Sequence, residues 1–401
     1  MKLELHLIQN FAPSNLNRDD SGSPKDCELG GVRRARISSQ CLKRAMRSAF
    51  DAHAWLDPST RAVRIKRLVS LTAAKVAKEK GCTEDLAASA VTRAIAGAGL
   101  KTEENGKTQY LLFLPIRSID ELAAIVVEHF DALAAEAAAT QPSANEDKKK
   151  GQKDRKREKA DAKNAVSDDV RKAVEALLKS GAKTPELALF GRMIADSPDW
   201  NVDAACQVAH AVSTHRVSME FDFYTAIDDA RREDAAGSDM MGTIPFNSAC
   251  FYRYLVVDVS DLEKNLGDAS KDQARTTVEA LVRAAVLAIP TGKQASMAAH
   301  NLPSLVLASV REKGESRSLA NAFVKPVRPS SEEDLVTGSI QRLAGHLSAV
   351  DSVYGTGGRK DFLFVVDEDG TAGPSFAKKS GATDTKGLDG LVSSVVKAAF
   401  A

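Results

Sequence analysis

The sequence predicts an α+β fold with a β-α-β-β-α-β core of the ferredoxin-like (RRM-like) kind, and three observations carry that expectation. Extended and helical apolar patterns alternate along the chain. One large block of helical pattern separates the first helix from the later strands, as an insertion into the core would. Two long extended stretches flank a polar, glycine-bearing segment, which suits a projecting arm better than a core turn. With 401 residues, 43% of them hydrophobic, the chain can bury one large core or two smaller ones.

Leu3, Leu5 and Leu7 alternate with polar residues, so the N-terminus reads as a strand and not as a signal peptide. Ser38 or Ser39 is placed to cap a helix reaching about Phe50. Helices are expected over about 59–80 and 83–97, the second capped by Thr83, then an extended piece at 109–115. An alanine-rich helix over about 118–140 carries Leu122, Ile125, Val126 and Phe130 at helical spacing. From Glu146 to Lys163, fourteen of eighteen residues are charged, nine basic and five acidic. Such a stretch cannot bury enough apolar area to offset its ordering entropy, so residues 141–167 are expected to be a mobile loop or a solvated extension of the flanking helices. Residues 205–227 read as extended, 228–242 as a loop or hairpin tip, and 247–259 as a strong strand. A helix over 271–288 stops at Pro290. Strand 304–310, helix 332–350, strand 361–366 and helix 388–400 complete the chain, with 355–360 as a flexible connection. The core then comprises 1–54 and 186–401, with the hairpin within about 220–252, and 55–185 is the insert.

Several chemistries are excluded. Five cysteines at 27, 41, 82, 206 and 250 are scattered, without a C-x-x-C pair, as in a reducing cytoplasm, so neither a disulfide framework nor a zinc site is expected. Seven histidines show no metal-binding spacing, and His210 and His215, five apart in extended chain, read as structural. The run from Pro290 to Gln294 lacks the form of a nucleotide-triphosphate loop, and the Gly355–Lys360 run precedes a strand, the wrong order for a dinucleotide fold. No nucleophile elbow and no membrane-length apolar run are present. We expect no catalysis, cofactor, metal or membrane partner, and a cytoplasmic location.

The chain is balanced overall, 55 Lys+Arg against 54 Asp+Glu, yet Leu29–Phe50 holds six basic residues and no acid. Arg33, Arg34, Arg36, Lys43, Arg44 and Arg47 therefore mark a surface for a polyanion. On a helix, Gln40, Lys43, Arg44 and Arg47 share one face, and Leu42, Ala45, Met46 and Ala49 share the adjoining one. Capping hydroxyls, free first-turn amides and the helix dipole would hold a phosphate there. Lys293 and Gln294 could be presented to a phosphate by their loop.

The strings Asn17-Arg18-Asp19-Asp20, Pro24-Lys25-Asp26, Gly30-Gly31 and Arg36-Ile37-Ser38-Ser39-Gln40, followed by Leu42-Lys43-Arg44-Ala45-Met46-Arg47, also carry a resemblance. Further matches are Leu189-Phe190-Gly191-Arg192-Met193, Thr214-His215, Tyr224–Asp229, Phe251-Tyr252-Arg253-Tyr254 and Thr291-Gly292-Lys293-Gln294. Together they resemble the CasC family, the repeated crRNA-binding backbone subunits of the type I-E CRISPR Cascade complex, within the RAMP superfamily. The likeness runs to about residue 310 and has no counterpart for the charged insert.

The resemblance implies a ferredoxin-like palm, an inserted helical finger domain and a β-hairpin thumb. It implies a non-catalytic subunit that binds CRISPR guide RNA independently of sequence, through Arg18, Lys25, Ser39, Gln40, Lys43, Arg44, Arg47, Lys293 and Gln294. Copies would join head-to-tail, with other Cascade subunits and, through guide pairing, target DNA as further partners. Wedges that segment the guide fall to Met193 and to a thumb residue, for which Phe246 is the candidate by position. Two alternatives remain. Some RAMP relatives cut RNA with an aspartate in the loop after the first strand, where Asp19, Asp20 and Asp26 lie here. A general single-stranded RNA-binding protein would need exposed sheet aromatics, and only 5% of the residues are aromatic.

Overall fold

The apolar N-terminal strand is paired on both edges inside a ten-stranded sheet. The computed structural model describes residues 1–103, 105–139, 167–180, 183–194, 198–226, 240–267, 271–331, 333–366 and 370–401. The chain forms two units, residues 1–55, 206–260 and 274–401, and residues 56–205 with 261–273.

In chain order, β1 (Lys2–Ser14), β2 (Asp26–Leu29), β3 (Val32–Ile37) and α1 (Ser39–Ala52) open the palm. The helical unit follows with β4 (Ala62–Ile65), α2 (Leu68–Lys80), α3 (Glu84–Gly97), β5 (Leu112–Pro115), α4 (Ser118–Glu128), α5 (Phe130–Ala139), α6 (Asp168–Ser180) and α7 (Pro185–Phe190). β6 (Cys206–Val208), β7 (Ala211–Ser213), β8 (Glu220–Ala226) and β9 (Met240–Asp258) return to the sheet. Then come α8 (Val259–Leu266), α9 (Lys271–Leu287), α10 (Gln294–Met297), β10 (Leu305–Arg311), α11 (Leu335–Tyr354), β11 (Lys360–Val365), α12 (Ala372–Ser380), β12 (Thr383–Asp384) and α13 (Leu388–Ala399).

The strand order is β12-β11-β10-β1-β9-β7-β3-β2, with β6 and β8 also paired to β9. Its inner part, β10-β1-β9-β6/β7 with α1 and α9 as crossovers, is the ferredoxin-like arrangement. β8 and the first part of β9 leave it as an antiparallel hairpin, from Glu220↔Phe246 to Ala226↔Met240. This is the thumb.

Both faces of the sheet are covered. On one, Phe11 and Phe251 pack with Leu42 of α1, and Arg253 donates to the Ala285 carbonyl of α9 at 2.7 Å. On the other, Ile8, Tyr252, Leu307 and Leu363 pack with Leu343, Leu347 and Phe376 of α11 and α12. The polar residues alternating with the N-terminal leucines are thus buried and paired. Glu4 meets Arg311 at 3.3 Å and accepts from Tyr254 at 2.9 Å, and His6 bonds Tyr252 at 2.8 Å. Burial beside Arg359 and Arg311 pushes the His6 imidazole down to about 3, so it stays neutral.

The helical unit has its own apolar core, in which Val76, Val91, Ile95, Leu122, Val126, Val174 and Leu178 meet. Three expectations change here. Residues 59–66 are a 3-10 turn and the strand β4, because Ala62–Ile65 pairs with Leu112–Pro115 and a distant partner overrides the local period. The helix over 118–140 breaks at His129, whose φ of −110° ends α4. Residues 186–205, assigned to the palm from sequence, belong to this unit: Glu186 accepts from Ala62 N at 3.2 Å, and Ala205 N donates to Ala188 O at 3.2 Å. Asn265 holds 261–273 to the same unit through the Ala188 and Asp203 carbonyls.

In the palm, 205–227 is three short strands and not one, and Met240–Gly242 belongs to β9. The 355–360 connection is fastened, since Arg317 and Arg311 donate to the Gly355 and Thr356 carbonyls and Arg359 pairs with Asp351 and Asp361. The charged segment 141–167 lies, but for its last residue, outside the described residues.

Candidate nucleic-acid interface

Ser38 begins α1: its φ and ψ of −69° and 148° are extended, and its hydroxyl accepts from Cys41 N at 3.3 Å. Leu42, Ala45, Met46, Ala49 and Phe50 face the core, which leaves Gln40 and Arg44 exposed and Lys43 and Arg47 half-buried on the outer side. No acid sits in the first turn, where one would ordinarily offset the dipole. The first-turn amides are less free than expected. Ser38 N donates to Asn17 Oδ1 at 2.8 Å and Ser39 N to His210 Nδ1 at 2.9 Å. Among the described residues only Gln40 N keeps no protein acceptor in that turn. Ser39 contributes its hydroxyl, which touches Gln40 Oε1 at 3.3 Å.

A groove of about 470 Å³ runs beside this helix, between the Leu16–Gly22 loop, the Arg44–Ser48 side of α1, and Pro290–Gly292. Gly292 makes the closure possible. A Cβ there would lie 2.4 Å from the Leu16 carbonyl oxygen, so no side chain fits. Lys293 follows in the left-handed region at φ 52°, a conformation that costs a non-glycine residue roughly 1 kcal/mol or more. Arg18, Lys25, Arg44 and Lys293 form no ion pair among the described residues, so their charge is available to a ligand. Asp19 and Asp20 also line or flank the groove. Asp19 accepts from the Ser21 hydroxyl at 2.7 Å and from the Ser21 and Ser23 amides, and these bonds hold its carboxyl below the usual range.

Three site expectations are corrected. Gln294 does not reach outward as a donor: its Nε2 donates to the Pro290 and Ala299 carbonyls at 3.1 and 3.2 Å and braces the loop. Its Oε1 is buried without a partner. Phe246 is not at the hairpin tip but at the base, opposite Glu220 and half-buried. Among the described residues, the exposed large apolar side chains of the hairpin are Phe221, Phe223 and Met241, which the cross-strand register places on one face. Sequence alternation in EFDFYT signals that face, but only the register tells which residues share it. Of the six cations, Arg34 is fully buried and donates to the Ser213, Phe323 and Val324 carbonyls, and Arg33 pairs with Asp26.

Met193, in the helical unit, is 84% exposed, so ordinary core packing does not explain it. Gly191 at φ 73° lets the chain turn there against Val202, and Arg192 is fixed by the Leu178 and Trp200 carbonyls at 2.8 and 2.7 Å. His215 is structural, its Nε2 accepting from Cys250 N at 3.2 Å. Tyr252 and Phe251 are buried and Tyr254 half-buried, so these sheet aromatics are not an open stacking platform. Asp26 is held by Arg33, and among the described residues no three His, Cys, Asp or Glu side chains gather as a metal-binding group.

This fold, a ferredoxin-like palm with an inserted helical unit and a hairpin thumb, matches that of RAMP-like subunits of CRISPR complexes. A chain of a solved CRISPR RNA-guided surveillance complex in a pre-nicking state is 32% identical, with a TM-score of 0.83 over 100% of both chains. A chain of another CRISPR RNA-guided surveillance complex is 27% identical, with a TM-score of 0.73 over 99% of this chain and 100% of that one. Residues 3–393 match the CT1975-like protein family, and the chain belongs to that family of CRISPR-associated proteins. No curated protein matches the chain. Among the described residues no helix is long and apolar enough to cross a membrane.

Proposed function

We propose that the chain is the non-catalytic backbone subunit of a Cascade-type surveillance complex, a CasC of the type I-E kind, that joins head-to-tail along CRISPR guide RNA. The observation that carries this reading is the outer face of α1 beside the groove, where Arg44 and Arg18 have no carboxylate partner among the described residues. Charge presented by a helix face and a loop suits phosphates and 2′-hydroxyls, and such contacts carry no base information. That is what a subunit needs if it must accept any guide sequence and leave reading to pairing with target DNA. Arg18, Lys25, Gln40, Lys43, Arg44, Arg47 and Lys293 are the contacts in this reading, with Ser39 at the helix start. Gln294 serves by bracing Lys293. Met193 and the Phe221–Phe223–Met241 face take the wedge role, since apolar side chains inserted between bases offset the unstacking of a few kcal/mol per step.

The test is to mix the purified protein with single-stranded RNAs of unrelated sequence and increasing length. Mass is followed by light scattering and RNA integrity on a gel. Mass rising in steps with length, whatever the sequence, with intact RNA, is the expected result. One copy bound at every length, or shortened RNA, overturns the reading.

A further inference from the structure

A second groove, sharing no residue with the first, opens on the palm between the turn joining β2 and β3, the His215–Arg216 segment and the stretch from Pro326 to Pro329. It encloses about 680 Å³, and its cations are all arginines: Arg33, Arg216 and Arg328. Arg216 and Arg328 are exposed and form no ion pair among the described residues. Arg33 is paired to Asp26 yet keeps 70% of its side chain accessible. Among the described residues no carboxylate lines the groove. Two acids next to it in sequence are engaged with α11: Asp334 accepts from Val336 N and Thr337 N at 2.6 and 3.0 Å, and Glu333 lies against Gly338.

The walls are fastened from below. Buried Arg34 holds the Phe323 and Val324 carbonyls at 2.7 and 3.2 Å, and Gly30 fits where a Cβ would sit 2.3 Å from Val324 O. Val327 N donates to Thr214 O at 2.9 Å, and the Arg216 carbonyl bonds His215 Nδ1 at 2.8 Å. The backbone at Arg216 and beside Arg328 is therefore set before any ligand arrives, which lowers the ordering cost of binding. A guanidinium fork matches the paired oxygens of a phosphate or a carboxylate. Between these, the lining favours phosphate. Among the described residues no Phe, Tyr or Trp lines the groove, and its large apolar side chains, Val32, Val327 and Leu335, are half-buried or buried, so the exposed anchors that a protein partner needs are missing.

We propose that this groove is a second track for a phosphodiester backbone, gripped by Arg216 and Arg328 with Arg33 beside them. The backbone is either a continuation of the RNA on the first groove or a separate single strand, and the chemistry of the grip is the same. The proposal does not depend on the chain forming a filament.

The test uses the full-length chain and the double variant Arg216→Gln/Arg328→Gln, with Arg216→Lys/Arg328→Lys as the charge-keeping partner. Binding of labelled RNA of arbitrary sequence, and of a labelled non-complementary DNA strand to the RNA-saturated protein, is measured from low to high salt. One of the two affinities should fall about tenfold in the Gln variant, its log–log salt slope flattening by about 1.4 for two lost contacts on a single strand. The Lys variant should keep most of that slope. A fall in RNA affinity assigns the groove to the same strand, and a fall in DNA affinity alone assigns it to a second one. Unchanged affinities with an unchanged melting temperature overturn the proposal. So does loss of polyglutamate binding in place of either nucleic acid, or altered mass of the RNA-bound assembly at unaltered affinity. Arg44→Gln, in the first groove, serves as the control: its failure to weaken RNA binding would count against the proposed function and leave this inference standing.

Discussion

Arg33, Arg34 and Arg36 on β3 and Lys43, Arg44 and Arg47 on α1 are equal charges in one short stretch, and the two sets have different fates. A strand turns alternate residues to opposite faces, so Arg34 goes into the interior while Arg33 points outward; Arg36 shares the face of Arg34 and is half-buried. Arg33 then finds Asp26, and Arg36 donates to the Asp26 carbonyl at 3.2 Å. Spacings of three and four on a helix keep all three cations of α1 on the outer side. Local charge density therefore does not define a binding surface until the period of the element carrying it is known. On β3 Arg34 braces the interior while Arg33 stays on the surface beside Asp26; on α1 all three cations lie on the outer side.

The largest test of this contrast is Arg34→Ala. Three carbonyl acceptors lose their donor in the interior, so unfolding free energy should drop by about 3 kcal/mol or more, seen as a lower denaturant midpoint. If the variant melts like the parent, Arg34 is not the brace described. Next comes Lys43→Ala with Arg44→Ala and Arg47→Ala. RNA affinity should fall by about one to two orders of magnitude for every sequence tried, with the salt slope flattened by about 2. Stability should move far less than in Arg34→Ala, and an unchanged affinity removes α1 from the interface. Gly292→Ala should cost about 1–3 kcal/mol through its clash with Leu16 O, and should weaken RNA binding by misplacing Lys293. RNA binding at parental strength would separate that loop from the site.

The smallest effect joins the two sets. His210 Nδ1 accepts from Ser39 N, and burial, then Arg36 and Lys25, hold the imidazole below its ordinary value. The unfolded chain takes up this proton near pH 6.5, while the folded chain stays neutral to a lower pH. Stability from this group is thus full above about pH 6.5 and declines as the pH falls toward the folded value. His210→Gln should flatten that part of the pH–stability curve slightly, and an NMR titration of His210 at or above the ordinary value would contradict the bond to Ser39.

The sequence made the core order, the thumb and the apolar side of α1 legible, because each rests on a local period. It missed the β2–β3 hairpin, although Gly30 and Gly31, at φ 62° and 71°, form the two-residue turn that such a pair signals. Charge drew the reading away from the pattern. Where Phe246 lies on the hairpin is not local information, since it depends on the cross-strand register that sets it opposite Glu220. Gln294 was read as a ligand contact because nothing local reveals that the Ala299 carbonyl folds back onto its amide. Short strands such as Ala62–Ile65 were lost for the same reason, since their partners lie far along the chain.

The position of β1 has a consequence for how the protein is made. Lys2 pairs with Asp258 on one edge and Arg311 on the other, so β1 is synthesised before either of its partners and is among the last strands to be completed. At about 5–20 residues per second, its second edge waits roughly 15–60 s for β10 to emerge. Throughout that interval an apolar strand with at least one unpaired edge is open to strands of neighbouring nascent chains. Yield in the cell should therefore respond to translation speed and chaperone supply more than the stability of the finished fold would suggest.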